Sequence, residues 1–544
     1  MFNYSKRVCV LYCALIFAMS VLCIRIYSLL WENENKALSV LEGQYSGKLE
    51  IAEHTGFVYD RNMQLLSHEK SSAIFVVNPA ECNDFMKTAE KTAPFCEVSS
   101  VSDIYSSLAA GIPFCVTVSG EKYDSANRFS KTCDGIYYVE IYDEIYNTAK
   151  HFLGYRNIDG KGIGGLRQNL DKKLSGNMKA TLTAHFDTNA KRKSLSCFDI
   201  NTKEYNRGDG VITTIDKDIQ TFCDSLSDQI PSGAVTVTDI QTGEILALSS
   251  YPGFDVDNIA SVLDSDKAEL LNRAEYSFTP GSVFKIVVSL AALEKDLSLY
   301  DLEYICEGEV EVDGDVFRCH KRDGHGKITL ADAFAHSCNT YFINLAKTIG
   351  FESIVQTAKK LELDKVSTAD FLYEKNNAFL DENSKKEGYY ANISFGQGDL
   401  GVSLLDMTRI VISATSGKLC DLSVLKGEIS GGFPVKYEEK QSKRIFDDGV
   451  CKKMLSMMEK CVNEGTGNKA LVEGASIGGK TGTAQTGRKN ENDEELVNKW
   501  FCGVYHSQKT QVCICVLYDG VCENSTSPCV VFSKIVEFMI EKGF

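Results

Sequence analysis

The chain has no internal repeat, no low-complexity stretch and no block of basic residues beside its one long apolar run. The missing basic block argues against nucleic acid and against anionic lipid as partners. A formal net charge of -16 by itself speaks only for solubility and against easy self-association. No Cys-x-x-Cys pair with metal-ligand spacing occurs among the 20 cysteines. Neither a zinc ribbon nor a small disulfide scaffold is therefore indicated. With 44% hydrophobic and 24% charged residues, wholesale disorder is excluded. A chain of 544 residues can build two or more domains with full cores.

The apolar run is Val8 to Ile24 (VCVLYCALIFAMSVLCI), followed after Arg25 by Ile26, Tyr27, Leu29, Leu30 and Trp31. A bilayer core needs about 20 helical residues. Arg25 can snorkel, and Tyr27 and Trp31 suit an interface. Lys6 and Arg7 precede the run and Glu32 and Glu34 follow it, so the N-terminus is expected in the cytoplasm. A cleaved signal peptide is the alternative, but no small-x-small site follows. The expected organisation is a cytoplasmic tail (1–7), a transmembrane anchor (8–30), an N-terminal domain (31–205) and a second domain (206–544).

Cys9, Cys13 and Cys23 lie in the apolar run and leave 17 cysteines beyond it, an odd number spread along the chain. They read mostly as free, buried thiols, which fits an exported protein from an anaerobic setting. Cys306 and Cys319 flank an expected hairpin and are the best disulfide candidates.

Beyond residue 205 the pattern sharpens. Ala234–Asp239 alternates, Gln241-Thr242-Gly243 supplies a turn, and Glu244–Ser250 continues, which predicts a β-hairpin. Pro280 and Gly281 introduce an apolar helix, Ser282–Glu294. Ile328–Ala346 reads as one or two further helices. Ser476–Gln485 is strand-like and glycine-rich. Trp500–Tyr505 and Gln511–Tyr518 form two antiparallel strands, and Pro528–Lys542 closes as an amphipathic helix. The whole is an α+β chain. Its sheet takes strands from both ends of the second domain and carries helices on its faces.

Three motifs carry chemistry. Ser282 and Lys285 are spaced i, i+3 at a helix start, so both face one side near unpaired N–H groups. A lysine made neutral by burial or a second cation can activate such a serine. Ser-x-x-Lys alone means little, since Ser67/Lys70 and Ser119/Lys122 match it too. Ser337-Cys338-Asn339 sits in a helix-to-loop stretch, and Ser125/Asn127 repeats its pattern elsewhere. Lys480-Thr481-Gly482 occurs once in the chain. Gly478, Gly479 and Gly482 let a ligand backbone approach that strand closely. Cys338 reads as a packed small residue.

Ser282-x-x-Lys285, Ser337-x-Asn339 and Lys480-Thr481-Gly482, in this order, resemble the motif set of penicillin-binding proteins and serine β-lactamases. Intervals of 55 and 143 residues suit that fold. Tyr276–Ile286, Ala391–Val402, Trp500-Phe501 and Val211–Gln220 resemble class B penicillin-binding proteins. The resemblance implies a peptidoglycan D,D-transpeptidase with a serine β-lactamase-like domain, an antiparallel sheet flanked by helices, after a mixed pedestal domain. It implies that Ser282 attacks the carbonyl between the last two D-alanines of a stem peptide. Lys285 would take the hydroxyl proton, and Ser337 would relay it to the leaving amine with Lys480 tuning the charge. Asn339, Thr481, Gly482 and Thr483 would bind substrate, and the N–H groups of Ser282 and Thr483 would form the oxyanion hole. No cofactor or metal is expected.

The N-terminal part departs from the family. In Gly56–Asn62 (GFVYDRN), Thr55 replaces a leading arginine and Met63 a closing glycine. In Gly162–Gly176, Arg167 stands where a glutamate is expected. An ion pair between the two motifs is thus lost or rebuilt. A β-lactamase or β-lactam sensor would share the three motifs, but no class A glutamate loop is evident and only seven residues precede the anchor. A non-catalytic scaffold is disfavoured by the intact motifs, while a D,D-carboxypeptidase differs only in acceptor access. No Glu-Asp-x-x-Phe pattern and no room for C-terminal wall-binding repeats are found, so a monofunctional enzyme is expected. Its expected partners are lipid II-derived glycan strands, β-lactams, the membrane and a SEDS-family (shape, elongation, division and sporulation) glycosyltransferase.

Overall fold

The structure, a computed structural model, describes residues 17, 19–22, 25, 46–145, 147–175, 178–187, 194–203, 205–365, 387–438 and 440–544. The expected anchor lies almost wholly outside them. Among the described residues no helix is long and apolar enough to cross a membrane.

The chain divides into two compact units. The smaller takes in Lys70–Asp143 and the flanking strands. It holds two three-stranded sheets, one of Ser46–His54, Met178–Asp187 and Ser194–Asn201, the other of Phe114–Thr117, His68–Val77 and Ile136–Glu144. Helix Val101–Ala109 starts at a Ser100/Asp103 capping box and adds Ile104 and Leu108 to a core with Phe75 and Val77.

The larger unit comprises Thr55–Glu69, Glu144–Gly176 and Gly208–Phe544. Its centre is a five-stranded sheet of β1 (Gly233–Asp239), β2 (Ile245–Tyr251), β3 (Ser476–Lys489), β4 (Glu495–His506) and β5 (Gln511–Cys522). The order is β2-β1-β5-β4-β3, and every neighbouring pair is antiparallel. The predicted hairpin is β1 and β2, and strands from both ends of the region do meet in one sheet. Both faces of β1 and β2 are buried, because helices cover the sheet twice. On one face α1 (Lys217–Asp224) and α7 (Pro528–Lys542) bring Ile219, Cys223, Phe532 and Ile535 against Val235 and Val237. On the other lie α2 (Lys285–Lys295), α3 (Leu330–Ala335), α4 (Asn339–Ile349), α5 (Leu404–Ser416) and α6 (Asp448–Asn463).

Helix α2 is buried on every side from Lys285 to Leu293, and all of those residues but Lys285 and Ser289 are apolar. Such a helix belongs inside a core, where each large aliphatic side chain contributes about 1.5–3 kcal/mol. The predicted helix Ser282–Glu294 therefore exists. Its first residues form a tighter 3₁₀ turn, Gly281–Phe284, before the α-helix begins at Lys285. Cys502, Cys513 and Cys515 are packed in the sheet as small apolar side chains, with the Cys513 thiol donating to the Thr408 carbonyl at 3.8 Å.

Two sequence expectations change here. Cys306 and Cys319 do flank a hairpin (Glu309–Val312 with Asp315–Arg318), but both are free thiols and are not joined to each other. The lost ion pair is rebuilt with its polarity changed. Arg167, 2% exposed, donates to Glu144 Oε1 at 2.8 and 3.0 Å and to the Gly154 carbonyl at 3.0 Å. The Thr55 hydroxyl, standing in the arginine's place, reaches the same Glu144 oxygen at 3.5 Å.

Candidate active site

The nucleophile candidate owes its position to two glycines. Gly281 has φ +56°, and a Cβ there would come 2.4 Å from the Thr483 carbonyl. A Cβ at Gly482 would come 2.7 Å from the Pro280 carbonyl. Only residues without side chains let the turn carrying Ser282 lie directly against β3. Two bonds fix the turn. The Gly281 N–H donates to Gly396 O at 2.9 Å, and the Trp500 indole donates to Thr279 O at 3.1 Å. Trp500 is opposite Gly482 and Phe501 opposite Thr481 in the β3–β4 register.

Lys285 follows one turn later, fully buried. Its Nζ donates to the Ser337 carbonyl at 2.8 Å and to Asn339 Oδ1 at 2.8 Å, and the Ser337 hydroxyl oxygen lies 3.2 Å from it. Ser337 has φ +54° in the bend between α3 and α4, so its carbonyl turns inward to that amine. Burial pushes Lys285 well below the usual lysine range, and the neighbouring Lys480 cation pushes it further. Cys338 and Cys319 oppose the shift. Lys480 is equally buried and is lowered by that burial. Its Nζ donates to Thr481 O at 3.1 Å, and it lies over the Phe334 ring at 5.6 Å.

A cleft of about 380 Å³ joins these groups. Ser282, Ser337, Asn339, Thr481, Gly482 and Thr483 all line it. Lys285 and Lys480 stand behind the wall instead of in the cleft lining. All eight sequence-chosen residues are thus at one place. The competing matches are not. Lys122 donates to Pro94 O, Lys70 pairs with Glu140, and the Ser67 hydroxyl accepts from the Val58 N–H.

The cleft also has walls that motif reading missed. Thr466 shares a 2.6 Å hydroxyl hydrogen bond with Thr481. Lys499, opposite Thr483 in register, donates to the Glu523 and Ser525 carbonyls at 2.6 and 2.8 Å. His320, Ser527 and Pro528 complete it. None of them lies in a motif, and only the strand register could have pointed to Lys499. Behind Ser337 and Asn339, Cys306, Cys319, His325 and Cys338 form, among the described residues, a group that could hold a metal ion.

Residues 233–537 match the penicillin binding protein transpeptidase domain, which is more than half of the chain. The chain belongs to that family. Stage V sporulation protein D of Bacillus subtilis is 28% identical over 471 residues, covering 83% of this chain and 72% of that protein. The peptidoglycan D,D-transpeptidase MrdA of Acinetobacter baumannii is 26% identical over 353 residues, with 58% and 52% covered. The chain therefore spans about half of the latter's length. A chain from the structure described as a peptidoglycan synthase complex coordinating polymerization and crosslinking superposes with a TM-score of 0.65. It is 20% identical, and 97% and 96% of the two chains are covered. This is a class B penicillin-binding protein with a D,D-transpeptidase domain of mixed α/β fold.

Proposed function

We propose that this penicillin-binding protein cross-links peptidoglycan stem peptides through an acyl-serine intermediate on Ser282. The observation that carries the reading is the Lys285 amine, buried beside a second buried lysine and held by two carbonyl acceptors. A neutral amine has two hydrogens and one lone pair. Ser337 O and Asn339 Oδ1 take the hydrogens at 2.8 Å each. The lone pair is then left to accept a hydroxyl proton.

The steps follow from that arrangement. Ser282 Oγ attacks the carbonyl between the two terminal D-alanines and gives its proton to Lys285 Nζ. The oxyanion is met by the N–H groups of Ser282 and Thr483, which Gly281 and Gly482 bring together. One such donor contributes about 3–4 kcal/mol in other enzymes. The proton passes through the Ser337 hydroxyl to the leaving amine, and D-alanine departs. Thr481, Thr483 and the Lys480 charge hold the substrate's terminal carboxylate, and Asn339 its amide. An amine from a second strand then attacks the ester and regenerates the serine. The polymerization and crosslinking pairing of the structural relative supports work beside a separate membrane glycosyltransferase of the SEDS family. The Val8–Leu30 run supports a single anchor with the catalytic unit outside the cytoplasm.

The test is acylation of the full chain by fluorescent penicillin, with the adduct located by peptide mass. A stable adduct on Ser282, lost in Ser282→Ala, is expected. No adduct with penicillin intact would point to a scaffold. No adduct with penicillin hydrolysed would point to a β-lactamase.

A further inference from the structure

Four soft ligands converge directly behind the Ser337–Asn339 bend. Cys306 ends the strand Tyr304–Cys306, and Cys319 follows the hairpin strand Asp315–Arg318. His325 immediately precedes the strand Gly326–Ile328, and Cys338 sits between Ser337 and Asn339. One donor atom from each lies within 4.8 Å of all the others. The three cysteines are buried and His325 is half-buried.

The separations have a recognisable size. His325 Nδ1 stands 3.5 Å from Cys306 Sγ and 3.5 Å from Cys319 Sγ, and Cys319 Sγ stands 3.9 Å from Cys338 Sγ. A tetrahedral zinc ion has Zn–S of about 2.3 Å and Zn–N of about 2.05 Å. Its S···S edges are then about 3.8 Å and its S···N edges about 3.6 Å. A disulfide needs sulfurs at about 2.05 Å, so these thiols are spaced as ligands and not as a bond.

We propose that Cys306, Cys319, His325 and Cys338 bind one zinc-class divalent cation, and that this ion locks the Ser337–Asn339 bend in its working shape. Three sulfurs and one imidazole form the closed donor set of a structural site, with no position left for substrate or water. Soft thiolates select zinc-like ions over magnesium or calcium. Outer donors are in place as well. The Thr340 hydroxyl donates to Cys306 Sγ at 3.1 Å and lies 3.4 Å from Cys338 Sγ. The N–H groups of Lys321 and Asn339 face Cys319. Such partners orient metal ligands in known sites.

The consequence for the site is mechanical. Ser337 holds a left-handed backbone that costs roughly 1 kcal/mol or more and persists only where its surroundings over-determine it. Cys338 is its next residue, so an ion on Cys338 pins the bend that holds Lys285. The expectation of no metal came from the family resemblance, and no Cys-x-x-Cys spacing argued against it. Here the ligands arrive from four separate segments instead. The locking half of the proposal rests on the transpeptidase reading, and the metal-binding half does not.

The full chain, purified under reducing conditions without chelator, is expected to carry one zinc per molecule by elemental analysis. Replacing zinc with cobalt should give thiolate charge-transfer absorption and the intense ligand-field bands of a tetrahedral site. Cys306→Ser and His325→Ala should each weaken cobalt binding at least tenfold, while Cys115→Ser leaves it unchanged. Stripping the metal should slow penicillin acylation tenfold or more, and zinc should restore it. A wild-type chain without bound metal and without thiolate-cobalt bands overturns the site, whether or not the variants fold. Full-rate acylation by metal-free chain overturns the lock. A metal-loaded chain that never labels overturns the transpeptidase reading and leaves the metal site standing.

Discussion

Lys285→Met separates the chemistry of the buried lysine from its packing. Methionine keeps the length and flexibility of the stem and loses the amine. Two acceptors lose a donor, Ser337 O and Asn339 Oδ1, each bonded at 2.8 Å in the native chain. A buried acceptor left unpaired costs about 1–3 kcal/mol. Asn339 is half-buried and can turn to the cleft, so the full penalty falls on the Ser337 carbonyl alone. Against it stands the desolvation of the amine, which no longer has to be met. Net stability should change by no more than about 2 kcal/mol, a shift of a few degrees in Tm for a unit of this size. Acylation should fall far more. A general base contributes about 10²–10⁴-fold, or roughly 2.7–5.5 kcal/mol of barrier. Stopped-flow labelling with fluorescent penicillin gives the rate, and a thermal melt gives the stability. An acylation rate within tenfold of wild type, in a protein that melts normally, would refute Lys285 as the base.

The other predictions concern charge, space and the rebuilt ion pair. Because the neutral form of Lys285 is the active one, acylation should be full above its lowered pKa and lost as pH falls through it; Lys480→Gln removes the neighbouring cation, so this acid limb should move to higher pH in a rate series. A limb that stays put would show that the two lysines do not couple. Gly482→Ala drives a Cβ to 2.7 Å from Pro280 O and should slow acylation at least tenfold, whereas Gly253→Ala, with nothing within 4 Å of its Cβ, should be silent. Glu144→Gln leaves the Arg167 guanidinium, 2% exposed, without its carboxylate. Breaking a fully buried pair costs about 3–5 kcal/mol. With Glu144 22% exposed, about 2–4 kcal/mol is expected from urea unfolding, and less than 1 would deny the pair a structural role.

The central sheet was legible because its signals are local. Alternation in Ala234–Asp239, the Gln241-Thr242-Gly243 turn and the apolar run of Gln511–Tyr518 each report on their own strand. The three motifs were legible for a different reason, since each is a few adjacent residues with a fixed backbone task. The fate of Arg167 was not. Its partner, Glu144, is 23 residues away and belongs to no motif, so a charge reversal at one motif could be seen but not its repair.

The same limit explains why the sequence pointed past the cysteine cluster. Cys306 and Cys319 were read as a pair because a hairpin joins them, and a pair suggests a disulfide. Their true neighbours are His325 and Cys338, brought in by the strand Gly326–Ile328 and by the bend before α4. A cysteine between Ser337 and Asn339 can be a packed small residue when viewed alone. With three other soft donors within 4.8 Å, the bland reading must also account for an imidazole equidistant from two sulfurs. A tetrahedral ion accounts both for that spacing and for the gathering of all four donors. The bend that orients Lys285 then depends on two buried polar clusters, the lysine pair on one side and the thiol group on the other. Both are assembled only when the chain folds; each lysine belongs to a short motif, whereas the thiol group leaves no short spacing in the sequence.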